Sequence, residues 1–199
     1  MRCAEIEQAI AAARVLPVLR TADAAGAVRA AETLLGAGIG VVELTATTPG
    51  WADALWGLRG AYPGAVLGAG TVTTAEDARR AIDAGADFLV SPYPAEAVRA
   101  LAGNEGTLFL EGGFTPAEVA AASARGLAKL FPAHVGGPAY LRSILAVLPS
   151  ARIIPTGGIG LSEVPAYLEA GAYAVGVGSD LVKAPDPAKA ARELIQGVR

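Results

Sequence analysis

Lys129 lies inside Leu127-Ala128-Lys129-Leu130-Phe131-Pro132, an otherwise apolar run. An ammonium group is costly to desolvate in such a setting, which favours the neutral amine. A neutral buried amine is the form that attacks a ketone to make a Schiff base. The chain has only two other lysines, Lys183 and Lys189, and otherwise uses arginine. Lysines are almost never buried without cause, so function outweighs a purely structural pairing for Lys129. Glu43 is the second such residue, in Val41-Val42-Glu43-Leu44-Thr45. A carboxylate there either pairs with a cation or moves protons. If it faces the same interior as Lys129, the pair reads as an ion pair or as a proton shuttle beside an imine.

Further residues of chemical interest cluster at the ends of apolar runs. Pro155-Thr156-Gly157-Gly158-Ile159-Gly160 and Gly176-Val177-Gly178-Ser179 are glycine-rich, which lets backbone N–H groups approach an anion closely. Gly68-Ala69-Gly70-Thr71 offers a hydroxyl, and Arg20 is either a bidentate anion clamp or a solvated cation. Glu111 reads as a catalytic carboxylate, a support for a cation, or plain loop. His134, the only histidine, is expected in a loop that grazes the substrate. Trp51 and Trp56 are expected to pack. No cluster has metal-ligand spacing, and no Walker loop or nucleophile elbow is present, so neither metal nor cofactor is expected.

Eight short, continuous apolar runs must position these groups: 15–19, 41–45, 66–69, 88–91, 107–110, 128–131, 153–156 and 174–177. Continuous rather than alternating apolar character marks parallel strands covered on both faces. Helical segments separate them. Thr115-Pro116-Ala117-Glu118 is a capping box, Thr74 with Asp77 opens a helix, and Ser162 with Glu163 opens another. Gly38, Gly85, Gly126 and Gly171 each stand between a helix and the next strand, the place of a left-handed helix stop. With helices over about 4–14 and 187–198 added, the pattern is an α/β (β/α)8 TIM barrel with an extra N-terminal helix, one domain over 1–199. An open doubly wound sheet should carry G-x-G-x-x-G after its first strand, which is absent.

Composition narrows the setting. The 199 residues are 53% hydrophobic and 18% charged, which excludes disorder. A net charge of −3 argues against nucleic acid. Charges recur too often for a membrane span, and the first residues lack a signal-type apolar core. The single Cys3 forms no internal disulfide, so a cytoplasmic protein is expected.

In order along the chain, these motifs resemble the 2-keto-3-deoxy-6-phosphogluconate (KDPG) and 4-hydroxy-2-oxoglutarate (KHG) aldolase family. The resemblance rests on Val15-Leu16-Pro17-Val18-Leu19-Arg20, Val42-Glu43-Leu44-Thr45, Gly68-Ala69-Gly70-Thr71-Val72 and Ser91-Pro92. It continues through Thr115-Pro116-Ala117-Glu118, Lys129-Leu130-Phe131-Pro132-Ala133, Gly136-Gly137-Pro138, Pro155-Thr156-Gly157-Gly158 and Gly178-Ser179. It implies a class I, metal-independent aldolase with Lys129 as Schiff-base lysine and Glu43 as general acid/base. Thr71 would contact the pyruvate portion, Arg20 the substrate, and Gly157, Gly158, Gly178 and Ser179 the phosphate. Pro92, Phe131 and Thr156 complete the implied substrate-binding set. A homotrimer and a keto acid phosphate substrate are implied as well. Many members carry an arginine where this chain has Thr47, and Glu111-Gly112 replaces the usual Pro-Gly. An extra carboxylate near the site would then bear on a doubly anionic substrate. The Thr48-Pro49-Gly50-Trp51 and Gly178-Ser179-Asp180-Leu181 stretches look like the phosphogalactonate branch. Readings without an imine are a phosphosugar isomerase or epimerase on the same barrel, or a non-catalytic phosphate-metabolite scaffold.

Overall fold

In a computed structural model, which describes residues 3–198, the apolar runs form eight parallel strands. They are β1 (Val15–Leu19), β2 (Val41–Thr45), β3 (Val66–Gly70), β4 (Phe88–Val90), β5 (Leu108–Gly113), β6 (Leu127–Leu130), β7 (Arg152–Pro155) and β8 (Val175–Val177). Each pairs with its neighbour in sequence, and β8 returns to pair with β1. A parallel bridge between Thr156 and Gly176 joins β7 to β8 and closes the ring. Ten helices are described: α1 (Cys3–Ala13), α2 (Ala24–Gly36), α3 (Trp51–Ala61), α4 (Ala75–Asp83), α5 (Glu96–Glu105), α6 (Pro116–Ser123), α7 (Gly137–Val147), α8 (Val164–Glu169), α9 (Ser179–Val182) and α10 (Pro187–Gly197). The fold is a (β/α)8 barrel.

Strand parity sorts the core into two parts, because successive side chains point to opposite faces. Leu16, Val41, Val66, Phe88, Leu108, Leu110, Leu127 and Ile154 fill the interior together with Ile6 and Ile10 of α1. The N-terminal helix therefore closes the end of the barrel away from the strand C-termini. Glu7 of the same helix ties it to the start of β7 through Arg152, at 2.7 Å. The other parity, including Val42, Leu44, Ala128 and Leu130, packs outward against the surrounding helices.

Local chemistry explains the helix ends. The Asp23, Thr74, Thr115 and Asp186 side chains each accept an N–H from the first turn of their helix. Gly38, Gly85, Gly126 and Gly171 all adopt positive φ, the conformation that stops a helix and costs other residues energy.

Three expectations need correction. β5 runs on to Gly113, so Glu111 is a strand residue rather than part of a loop beyond it. Ser162 does not cap a helix. A 3-10 turn over Leu161–Glu163 precedes α8, and the Glu163 carboxylate accepts the Gly160 N–H at 2.8 Å. Trp51 packs, but Trp56 is 70% exposed. Five residues carry the chain well past one helical turn, so the two rings leave α3 on different sides.

Candidate active site

Glu43 is the middle residue of β2, with Val41 two positions before it inside the barrel. The same parity turns Lys129 of β6 inward after Leu127. The two side chains meet in the interior with Nζ and Oε1 3.9 Å apart, and both are at least nine-tenths buried. No described donor reaches hydrogen-bond distance of Glu43 Oε1. Burial pushes the Glu43 carboxyl above its ordinary value; the charges of Lys129 and Arg20 oppose the shift without cancelling it. Lys129 Nζ also stands 5.3 Å from the centroid of the Phe131 ring.

Room for Glu43 comes from an absent side chain on the neighbouring strand β3. A Cβ on Gly70 would fall 1.7 Å from Glu43 Oε1, so the carboxylate occupies the space a side chain would take. A Cβ on Gly176 would similarly strike Thr156 Oγ1 at 2.1 Å.

Above the pair, at the C-terminal ends of the strands, opens a cavity of about 330 Å3. This is the face where barrels of this kind place their chemistry. Arg20, Thr71, Pro92, Lys129 and Phe131 line one part of it. Thr156, Gly157, Gly158, Gly178 and Ser179 line the rest. Every substrate-binding residue expected from the sequence thus reaches one cavity. Glu43 lies beneath its floor, behind Lys129. Val18, Pro132, Ile159 and Asp180 also line the cavity. The sequence assigns them no role of their own, although all four lie within the motifs quoted above. His134 lines the rim, with Nδ1 3.1 Å from the Gly157 carbonyl.

Thr71 holds a positive φ of 57°, a left-handed conformation that is costly for a β-branched residue. Its Oγ1 accepts a hydrogen bond from Arg20 at 3.3 Å, which places the guanidinium over the end of β3. At the opposite side, Gly157 and Gly158 also have positive φ, and α9 begins at Ser179. The first amides of a helix have no acceptor within it, so this side presents donors.

Glu111 is not part of this site. It pairs in register with outward-facing Ala128. Its carboxylate takes two hydrogen bonds from Arg99, the shorter 2.6 Å, and one from the Ala95 N–H at 2.9 Å. Burial alone would raise its pKa, but the Arg99 and Ala95 hydrogen bonds and the Arg99 and Arg125 charges hold it below the ordinary carboxylate range. It therefore supports cations outside the barrel, and the expectation of an extra carboxylate beside the substrate is overturned. Among the described residues no three His, Cys, Asp or Glu side chains converge as a metal site.

A parallel barrel with an inward amine, a partnered carboxylate and a cavity above them defines an enzyme-type site for carbonyl chemistry. Comparison with known proteins makes this specific. The aldolase family of KDPG and KHG aldolases matches residues 6–193. The 2-dehydro-3-deoxy-phosphogluconate aldolase of Zymomonas mobilis is 37% identical over 190 residues, covering 93% of this chain and 91% of the relative. A probable 2-dehydro-3-deoxy-6-phosphogalactonate aldolase of Rhizobium meliloti is 35% identical, covering 85% and 80%. The crystal structure of KDPG aldolase from Legionella pneumophila, with pyruvate captured as a covalent carbinolamine, superposes with a TM-score of 0.84 at 30% identity, covering 97% of each chain. This chain belongs to the KDPG and KHG aldolase family.

Proposed function

We propose that this chain is a class I aldolase that cleaves a 2-keto-3-deoxy sugar acid 6-phosphate, the gluconate or galactonate epimer, to pyruvate and glyceraldehyde 3-phosphate. Cleavage of 4-hydroxy-2-oxoglutarate to pyruvate and glyoxylate uses the same steps. The observation that carries the reading is the buried Lys129 amine lining the cavity, 3.9 Å from an oxygen of Glu43 that no described donor engages.

The neutral amine of Lys129 adds to the C2 ketone, and loss of water from the carbinolamine gives an iminium. Glu43, directly or through a water, takes the C4 hydroxyl proton. The C3–C4 bond breaks, its electrons pass into the iminium, and the aldehyde leaves an enamine on Lys129. Glu43 returns the proton to C3, and hydrolysis of the resulting iminium frees pyruvate and the amine. Burial suits Glu43 to this exchange, since a raised pKa makes its carboxylate a stronger base toward the C4 hydroxyl. Thr71 and Arg20 hold the carboxylate side of the substrate. The backbone N–H groups at Gly157, Gly158, Gly178 and Ser179 hold the phosphate. Phe131, Pro92 and Thr156 shape the space between.

We also place the protein in the cytoplasm as a homotrimer. The family resemblance supports the trimer, and exposed Trp56, Val135 and Val147 supply apolar surface that assembly could cover. No helix among the described residues is long and apolar enough to cross a membrane.

The test is a substrate panel. Purified protein is given the phosphogluconate and phosphogalactonate epimers and 4-hydroxy-2-oxoglutarate, with pyruvate release followed by a coupled lactate dehydrogenase assay. Turnover of at least one, lost in Lys129→Ala, is expected. No pyruvate from any of the three would overturn the proposal.

A further inference from the structure

The threonines that follow Glu43 make a hydrogen-bonded unit with no part in the chemistry above. The hydrogen-bonded register between β1 and β2 ends at Leu19 paired with Leu44, so the peptides around Arg20 lie beyond the ladder. Side chains take over at that point. Thr45 Oγ1 donates to the Leu19 carbonyl at 3.2 Å, and Thr48 Oγ1 accepts the Thr21 N–H at 3.2 Å. These are the two peptide groups that flank Arg20. The two hydroxyl oxygens stand 3.4 Å apart, and Thr47 Oγ1 lies 3.2 Å from that of Thr45.

The proton directions follow from the inventory of each group. A hydroxyl has one proton to give. Thr45 spends its proton on Leu19, so Thr48 donates to Thr45, and Thr47 does the same. The order Thr21 N–H to Thr48, Thr48 to Thr45, Thr45 to the Leu19 carbonyl leaves no proton of the chain unused. Thr45 and Thr48 are buried, at 0% and 1% exposure, so water does not compete for these bonds. Arg20 itself is exposed, and its guanidinium donates to Thr71 Oγ1 at 3.3 Å.

We propose that Thr45 and Thr48 are positioning residues that fix the backbone on both sides of Arg20 and so aim its guanidinium at the substrate anion. This rests on the aldolase reading, in which Arg20 holds substrate, and extends it to two residues that touch no substrate. A binding group must be held to roughly 0.5 Å and 10–20° to act fully. Arg20 has a long side chain and one light anchor, so its precision depends on where its Cα is held. The chain thereby braces this arginine from the segment in which it has Thr47 and Thr48.

The experiment is a double-mutant cycle read in KM and kcat for 2-keto-3-deoxy-6-phosphogluconate, using Thr48→Val, Arg20→Ala and the double variant. Thr48→Val keeps the side-chain shape and removes the hydroxyl. It is expected to raise KM about tenfold with kcat within about twofold, the scale of one lost buried hydrogen bond. Thr48→Ser restores parent KM. In the Arg20→Ala background, Thr48→Val changes KM by less than about twofold, because nothing remains to be aimed. Thr45→Val carries the same expectations as a second variant. An equal KM rise with and without Arg20 would overturn the proposal, as would failure of serine to rescue. Loss of folding in both valine variants would assign the threonines to stability alone and overturn it too. The parent reading fails separately: Arg20→Ala would then leave KM unmoved, or pyruvate would not be fixed to Lys129 by borohydride, and the threonine proposal would fall with it. Additivity with both of those results intact removes only the threonine role.

Discussion

Replacing Gly70 by alanine puts a methyl group into the space that the Glu43 carboxylate occupies. The added Cβ would lie 1.7 Å from Glu43 Oε1, 2.4 Å from its carboxyl carbon and 2.7 Å from Cγ. Ordinary contact begins near 3.4 Å, so the carboxylate must retreat by roughly 1.7 Å. Glu43 is 1% exposed and hemmed in by the barrel interior, and Gly70 is held in register with Thr45, so neither side yields freely. Misplacing a catalytic group by about 1 Å costs on the order of 100-fold in rate. We therefore expect Gly70→Ala to lower kcat by about 100-fold or more. Overpacking costs about 1–3 kcal/mol, or a fall in Tm of roughly 2–12 °C for a chain of this size. The assay is pyruvate release coupled to lactate dehydrogenase, beside thermal unfolding. Gly57→Ala is the control: nothing lies within 4 Å of its Cβ, and the helix gains up to about 1 kcal/mol. A folded Gly70→Ala protein with kcat within about threefold of the parent would mean that turnover does not depend on Glu43 occupying the space at Gly70.

Three further outcomes are expected. The acid limb of the kcat/KM profile should lie above the ordinary glutamic acid range, because the base must be ionised and burial raises its pKa. It should move higher still in Arg20→Met, which removes a charge that lowers that pKa, while Glu43→Gln should lose about 10²–10⁴ in kcat; a profile unchanged in both variants would remove Glu43 from the proton transfers. Glu111→Gln should cost about 1.5–3 kcal/mol in denaturant unfolding at neutral pH with kcat intact, since it breaks charged hydrogen bonds to Arg99 outside the barrel. The sign follows from its lowered pKa: the stabilisation is present above the unfolded carboxyl's pKa and fades as pH falls through the folded one, so parent and variant should converge in acid. Thr71→Gly should relieve about 1–2 kcal/mol of left-handed strain, raising Tm, yet lower kcat/KM by removing the Arg20 partner; a variant both more stable and fully active would separate Thr71 from substrate binding.

The sequence disclosed the barrel and its central pair for one physical reason. Charged residues inside continuous apolar strands are rare enough to stand out, and β1 and β2 were bounded by their apolar runs to the residue. The capping box at Thr115 was equally plain, because its bonds are local. Glu111 is ambiguous in the sequence because the apolar run before it ends at Leu110. Extended three residues to Gly113, the strand keeps the parity of Leu108 and Leu110 and turns Glu111 outward, so the signal is present in the alternation. The threonine brace was illegible. Nothing in Thr45-Ala46-Thr47-Thr48 says which carbonyl or amide of another strand its hydroxyls will meet; the register of β2 against β1 decides that. Gly70 carried half a signal, a glycine at a strand end. That its missing side chain is the berth of Glu43 is a fact of packing between strands.

In the proposed mechanism one amine, that of Lys129, does all the covalent chemistry. Incubation with pyruvate and borohydride, followed by peptide mass analysis, reads it directly. A single reduced pyruvate adduct on the Lys129 peptide, with irreversible loss of activity, is the predicted result. An adduct on Lys183 or Lys189 instead, no adduct at all, or undiminished aldol cleavage by Lys129→Ala would contradict it.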